Sequence, residues 1–152
     1  MNRAMFATTA CAFLLLSGAL AYAGEGTLLD EKDSLTEKDK GYTPGKGTDQ
    51  IKVPFAQEIF KAITDHPHKV YKLKLKKDDK VVIQMKSDDM DSVVVVEDSK
   101  NTVLGLNDDD PAGGTLDSRL EWTAPADDEY HIIATNLNNK HGKFQLTVSK
   151  AK

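Results

Sequence analysis

VYKLKLKKDDKVVIQMKSDDMDSVVVVED, residues 70–98, consists of three short apolar runs separated by two charged breaks. In the first run Leu73 and Leu75 alternate with Lys72, Lys74 and Lys76, the period-two pattern of a half-buried strand. KKDDK reads as a turn, VVIQMKS as a second strand and DDMD as a break. SVVVVED follows as a run of β-branched residues, the composition of a buried strand.

The same rhythm continues downstream. SKN turns the chain into TVLGLN, and after an acidic, glycine-rich loop come DSRLEWTAP, a turn at ADDE, YHIIATNL, a turn at NNKHGK, and FQLTVSK. About seven to eight short strands with turn signals at regular intervals predict an all-β fold, an antiparallel β-sandwich. No βαβ spacing and no long helical segment competes with that reading. Trp122 alternates with Leu120 and is expected in the core, and Tyr130 is expected to pack. Lys72, Lys74 and Lys76 read as a solvated face or a protected edge.

Upstream, VPFAQEIFKAITDHPH places Phe55, Ile59, Phe60 and Ile63 on one helical face, with Pro54 suited to a first turn. One short helix is expected here, although Phe55, Ile59 and Ile63 also share the face of an outer strand. Residues 24–50 are charged and glycine-rich with almost no apolar period, which predicts a flexible leader before a domain spanning 51–152. Residues 1–23 read as a signal peptide: Arg3, the apolar run ACAFLLLSGALA, and small residues before a cleavage point near Ala23. The apolar run is too short to span a bilayer. The expected destination is the periplasm or the exterior of a bacterium. Cleavage would remove Cys11, the single cysteine, so the remaining chain could form no internal disulfide. It would also remove Arg3, taking the formal net charge from −4 to −5. An acidic surface argues against nucleic acid and anionic membrane as partners and is compatible with divalent cations.

The acidic loop is GLNDDDPAGG, residues 105–114. A hairpin turn centred between Ser99 and Lys100 would set Asp91 opposite Asp108, with Asp88, Asn107, Asp109 and Asp110 near the same open end. Such oxygen ligands suit Ca²⁺, and uncompensated they would repel one another. The alternative is a plain turn, since Asp and Asn cap local backbone N–H groups and the spacing is not that of an EF-hand. Arg119 is expected to pair with one of these carboxylates. Paired carboxylates also raise glycoside hydrolysis, but a chain this short offers no cleft-forming insertions, so catalysis is not expected. His66 and His68 in HPH, with His131 and His141, read as loop histidines rather than a zinc set. No GxSxG motif points to nucleophilic catalysis.

The order of these pieces resembles the bacterial pre-peptidase C-terminal domain family. The matching pieces are Asp91 with VVVVED, Asn107 to Asp110, Ser118-Arg119-Leu120, Thr123-Ala124-Pro125, and Tyr130 with Gly142 to Val148, covering about residues 66–149. Glu129 stands where the family usually has Gly, and Phe144 where Tyr is common. The resemblance implies a jelly-roll-like sandwich of the kind attached to secreted proteases, with collagen-binding relatives that carry Ca²⁺. Carried over, it implies Asp91, Asp108 and Asp109, with Ser118 nearby, as loop-knitting or Ca²⁺-binding positions. The expected function is a non-catalytic binding or accessory module for an extracellular protein or polysaccharide. The alternative is a structural cell-envelope or matrix component that self-assembles.

Overall fold

Residues 26–113 and 115–151 are described by the structure, a computed structural model. The expected signal peptide and its cleavage point lie outside these residues. Eight strands form: β1 Thr27–Leu35, β2 Lys69–Leu75, β3 Lys80–Lys86, β4 Ser92–Glu97, β5 Val103–Asn107, β6 Ser118–Thr123, β7 Asp128–Asn136 and β8 Gly142–Lys150. Among the described residues one α-helix, α1 Ala56–Ile63, stands between β1 and β2, preceded by a short 3-10 helix at Thr48–Gln50. The strands make two four-stranded sheets of order β1-β8-β3-β6 and β2-β7-β4-β5, antiparallel throughout. This is the antiparallel sandwich that the strand pattern predicts, with the jelly-roll order that the resemblance implies.

The core follows from the alternation. Val81, Ile83 and Met85 of β3 and Phe144, Leu146 and Val148 of β8 point inward from one sheet. Leu75, Val94, Val96, Tyr130, Ile132 and Ala134 meet them from the other. Each fully buried aliphatic side chain contributes about 1.5–3 kcal/mol. Tyr130 is buried and its hydroxyl donates to the Ala126 carbonyl at 2.7 Å. Trp122 is half-buried against this core and stacks edge-on with Tyr130 at 4.8 Å between ring centroids.

β4 does not alternate: all six of its residues are buried. Val94 and Val96 face the sandwich core, whereas Val93 and Val95 face a second apolar cluster on the other side of the sheet. That cluster joins Val103, Leu106 and Ile133 to Tyr42 and to Ala56, Ile59, Phe60 and Ile63 of α1. A sheet covered on both faces needs a continuous apolar strand, which SVVVVE supplies.

The expected flexible leader is corrected. Residues 27–35 form an edge strand paired along β8, from Thr27 opposite Ser149 to Leu35 opposite Gly142. Leu35 is buried, but Glu31 and Asp33 occupy the inward positions opposite Leu146 and Phe144. At the sandwich edge these positions meet β2 instead of the core: Lys69 Nζ and Tyr71 Oη donate to the two Asp33 oxygens at 2.6 and 2.9 Å. The polar middle of the strand therefore hid its period. Burial acts to raise the Asp33 pKa, but the bonds from Lys69, the Ser34 amide and Tyr71 outweigh it and hold the carboxyl below its usual value.

Residues 36–55 then strap across the second sheet. Tyr42 exchanges backbone bonds with Asp65 and His66, and Lys46 bonds to Asn101 and Val103. The Tyr42 hydroxyl donates to Glu97 Oε1 at 2.7 Å, and the Gly45 amide reaches the same oxygen at 3.2 Å. A Cβ on Gly45 would lie 2.0 Å from the Asn101 carbonyl oxygen, so only glycine fits there.

Candidate functional site

The β4–β5 hairpin sets the position of the acidic loop, and its register differs from expectation. Val94 pairs with Asn107, where a turn centred between Ser99 and Lys100 would have set it against Gly105. The turn is larger because the Asp98 carboxylate accepts the Lys100 and Thr102 amides, Asn101 adopts φ 58°, and a bulge follows Val96. The expected face-to-face pairing of Asp91 with Asp108 through the ladder is therefore not formed.

The loop is knit chiefly by local bonds. Asn107 Oδ1 accepts the Asp109 amide at 3.0 Å, and Asn107 Nδ2 donates to the Arg119 carbonyl at 2.7 Å. Asp110 Oδ1 accepts the Ala112 amide, and its other oxygen accepts from Gln84 at 3.3 Å. These are the capping roles expected of Asx residues in turns. Asp91, Asp108 and Asp109 still lie within electrostatic reach. Burial, and then the charges of Asp108 and Asp109, raise the Asp91 pKa; burial and then Asp109 raise that of Asp108.

The six candidate ligands do not assemble as one centre. Asp88 lines a different groove, with Lys32, Lys86 and Lys143, and Asp110 turns to Gln84. Among the described residues no three His, Cys, Asp or Glu side chains come together in a metal-holding group. This donor set does not fit the cage of six to eight oxygens that Ca²⁺ takes. Arg119 is corrected as well: its guanidinium pairs with Glu121 at 2.7 Å on the outer face of β6.

The histidines also have structural partners. His66 Nδ1 bonds the Asn136 carbonyl and His68 Nδ1 the Lys40 carbonyl, each at 2.7 Å. The His68 ring thereby fastens the 36–55 strap, and the His66 ring ties the end of α1 to β7. Lys72 and Lys74 lie exposed on edge strand β2, where charge discourages pairing with another chain.

Sequence reasoning misplaced Phe55. It precedes α1 as the N-cap with φ 56°, and this left-handed turn swings it off the buried face formed by Ile59, Phe60 and Ile63. Its side chain is 75% exposed, the most of any large hydrophobic residue among those described. Four other non-glycine residues with positive φ are Asp or Asn, which tolerate that region; a bulky aromatic does not. Phe55 lines a crevice of about 270 Å³ with Val53, Pro54, Ile59, Asn107, Asp108 and Asp109. One wall is apolar and the other carries carboxylates. Nothing in the local sequence reports the left-handed turn, so helical periodicity alone places Phe55 inside.

With this geometry in view, comparison with solved structures is informative. The pre-peptidase C-terminal domain of a collagenase from Bacillus anthracis superposes with a TM-score of 0.52 at 12% identity, over 82% of this chain and 90% of that one. PliG of Aeromonas hydrophila, a periplasmic inhibitor of g-type lysozyme, superposes with a TM-score of 0.51 at 14% identity, over 84% and 90%. The likeness is one of fold. No family model and no curated protein matches the sequence.

Proposed function

We propose that this protein is a non-catalytic binding module for an extracytoplasmic protein, and that the Phe55 crevice is its contact. The observation carrying the proposal is a 75%-exposed aromatic ring, held in a left-handed turn, beside Asp108 and Asp109. Burying such a ring in a partner supplies apolar contact, and the neighbouring carboxylates select a partner with a Lys or Arg beside its apolar patch. Left-handed φ at a non-glycine residue costs about 1 kcal/mol or more, and such strain gathers at sites of function. The two proteins named above fit this reading: one is a domain of a collagenase and the other a lysozyme inhibitor. Export to the periplasm or exterior belongs to the same proposal.

The test uses the chain from Gly24, which keeps every described element, with immobilised g-type lysozyme and type I collagen as the probes. Binding to one of them, weakened about tenfold or more by Phe55→Gly, is expected. Glycine suits φ 56°, so this variant should melt no lower than the parent. Binding that survives Phe55→Gly unchanged, or no binding to either probe, refutes the assignment as stated.

A further inference from the structure

The carboxylates that wall the Phe55 crevice have no cation of their own. Among the described residues the ion pairs are Lys69–Asp33, Lys72–Glu129, Arg119–Glu121 and Lys150–Asp79, and none includes Asp91, Asp108 or Asp109. Arg119 meets this loop through its backbone: its amide donates to the Asp109 carbonyl at 3.3 Å and its carbonyl accepts from Asn107 Nδ2 at 2.7 Å, while its guanidinium goes to Glu121. Lys52, just before the crevice in sequence, turns its Nζ to the Asp49 carbonyl at 3.3 Å. Burial and then neighbouring carboxylate charge raise both Asp91 and Asp108, and Asp108 has only its own amide to set against the rise.

The other polar side chains of the loop are already engaged. Asn107 spends Oδ1 on the Asp109 amide and Nδ2 on the Arg119 carbonyl, and Asp110 takes the Ala112 amide and Gln84. The crevice therefore offers two charged acceptors, Asp108 and Asp109, against the apolar Val53, Pro54, Phe55 and Ile59. Its volume of about 270 Å³ lies below the roughly 300–1,000 Å³ of a small-molecule site, and it suits a single side chain brought by a partner.

We infer that the crevice receives an arginine side chain of the partner, its guanidinium lying on the Phe55 ring and bonded to Asp108 and Asp109. This rests on the reading of the crevice as the contact and names what enters it. Arginine matches such a mixed lining at every level. Its methylene stem covers apolar surface, its planar head stacks on an aromatic face, and its N–H fork serves carboxylates. The guanidinium is also weakly hydrated, so it loses less on leaving water than an ammonium does. A lysine brings a compact, strongly hydrated point charge that neither stacks as a plane nor serves two carboxylates through a rigid fork. A divalent cation gains nothing from the ring or the apolar wall, and two carboxylates fall short of the six to eight oxygens of a Ca²⁺ site.

The experiment titrates ¹⁵N-labelled protein from Gly24 with three blocked tripeptides, each a central residue between two glycines: arginine, lysine, or citrulline, which keeps the shape of arginine without its charge. The arginine peptide is expected to bind in the millimolar range and to move the amide signals of Phe55, Asp108 and Asp109. The lysine peptide should bind at least about threefold more weakly, and the citrulline peptide should move none of these signals. Asp108→Asn/Asp109→Asn should lose about tenfold in arginine-peptide affinity while melting no lower than the parent, and Phe55→Gly should lose a similar factor. Asp88→Asn, in the other groove, should bind like the parent. Absence of arginine-peptide binding, equal binding of the lysine or citrulline peptide, or binding that Asp108→Asn/Asp109→Asn retains overturns the inference. The two readings fail separately. Lysozyme or collagen binding that Phe55→Gly weakens and Asp108→Asn/Asp109→Asn leaves intact keeps the crevice and removes the arginine. Arginine-peptide binding with neither protein bound keeps the arginine and removes those partners.

Discussion

Tyr42→Phe tests whether the 36–55 strap is fastened by a single buried bond. Tyr42 and Glu97 are 2% and 5% exposed, and the Tyr42 hydroxyl donates to Glu97 Oε1 at 2.7 Å. The substitution keeps the ring and its contact with His68, 5.4 Å away between centroids, and removes the donor alone. Glu97 Oε1 then keeps only the Gly45 amide at 3.2 Å. Losing a buried hydrogen bond to a carboxylate costs about 1.5–3 kcal/mol. For a domain of this size, an unfolding entropy of about 2 cal/mol/K per residue makes 1 kcal/mol worth about 4 °C. Tyr42→Phe is therefore expected to lower Tm by about 6–12 °C in thermal melts followed by circular dichroism. Glu97→Gln keeps an acceptor, so the loss on adding Tyr42→Phe to it should fall to about 1 kcal/mol, and the double-mutant cycle should show coupling. Limited proteolysis of Tyr42→Phe should cut within residues 36–55 before the sandwich is attacked. A Tyr42→Phe protein within about 0.5 kcal/mol of the parent, or additive losses in the cycle, would refute the latch.

Further expectations concern charge. Burial and Asp109 raise the Asp108 pKa in the folded protein, so ionised Asp108 opposes folding above that pKa, and the penalty is absent below the unfolded value near 3.8. Asp108→Asn should accordingly raise Tm at pH 7, with the gain vanishing toward pH 3; a loss at pH 7 would contradict this. Because the acidic side chains do not assemble a cage, millimolar Ca²⁺ should shift Tm by less than about 2 °C relative to EDTA. A rise of several degrees, abolished by Asp108→Ala, would establish the ion site after all. Burial and the bond to Asp33 push the Tyr71 hydroxyl well above its usual pKa of 10.0. Its protonated form therefore favours folding below pH 10, and this contribution is lost as pH rises beyond. The parent should lose stability above pH 10 more steeply than Tyr71→Phe, as urea melts across that range would show; equal slopes would remove the Asp33–Tyr71 contact from the account.

The sequence by itself determined the sandwich. Alternation in VYKLKL, VVIQMK and FQLTV is a local property of a strand with one buried face, so it is readable without knowing the partner strands. It also determined α1 through Ile59, Phe60 and Ile63, and the turn chemistry of Asn107 and Asp110. Three matters were decided only in three dimensions. β1 was hidden because an edge strand can spend its inward positions on polar contacts to the facing sheet, as Asp33 does with Lys69 and Tyr71. Phe55 was misplaced because one left-handed residue breaks helical periodicity at the helix's first turn. The crevice was invisible because Phe55 and Asp108 become neighbours only through packing of α1 against the sheet that holds β4 and β5, elements far apart in the chain. Strand formation reads local pattern, whereas a site is made by which elements become neighbours, and that is settled by burial of the whole core.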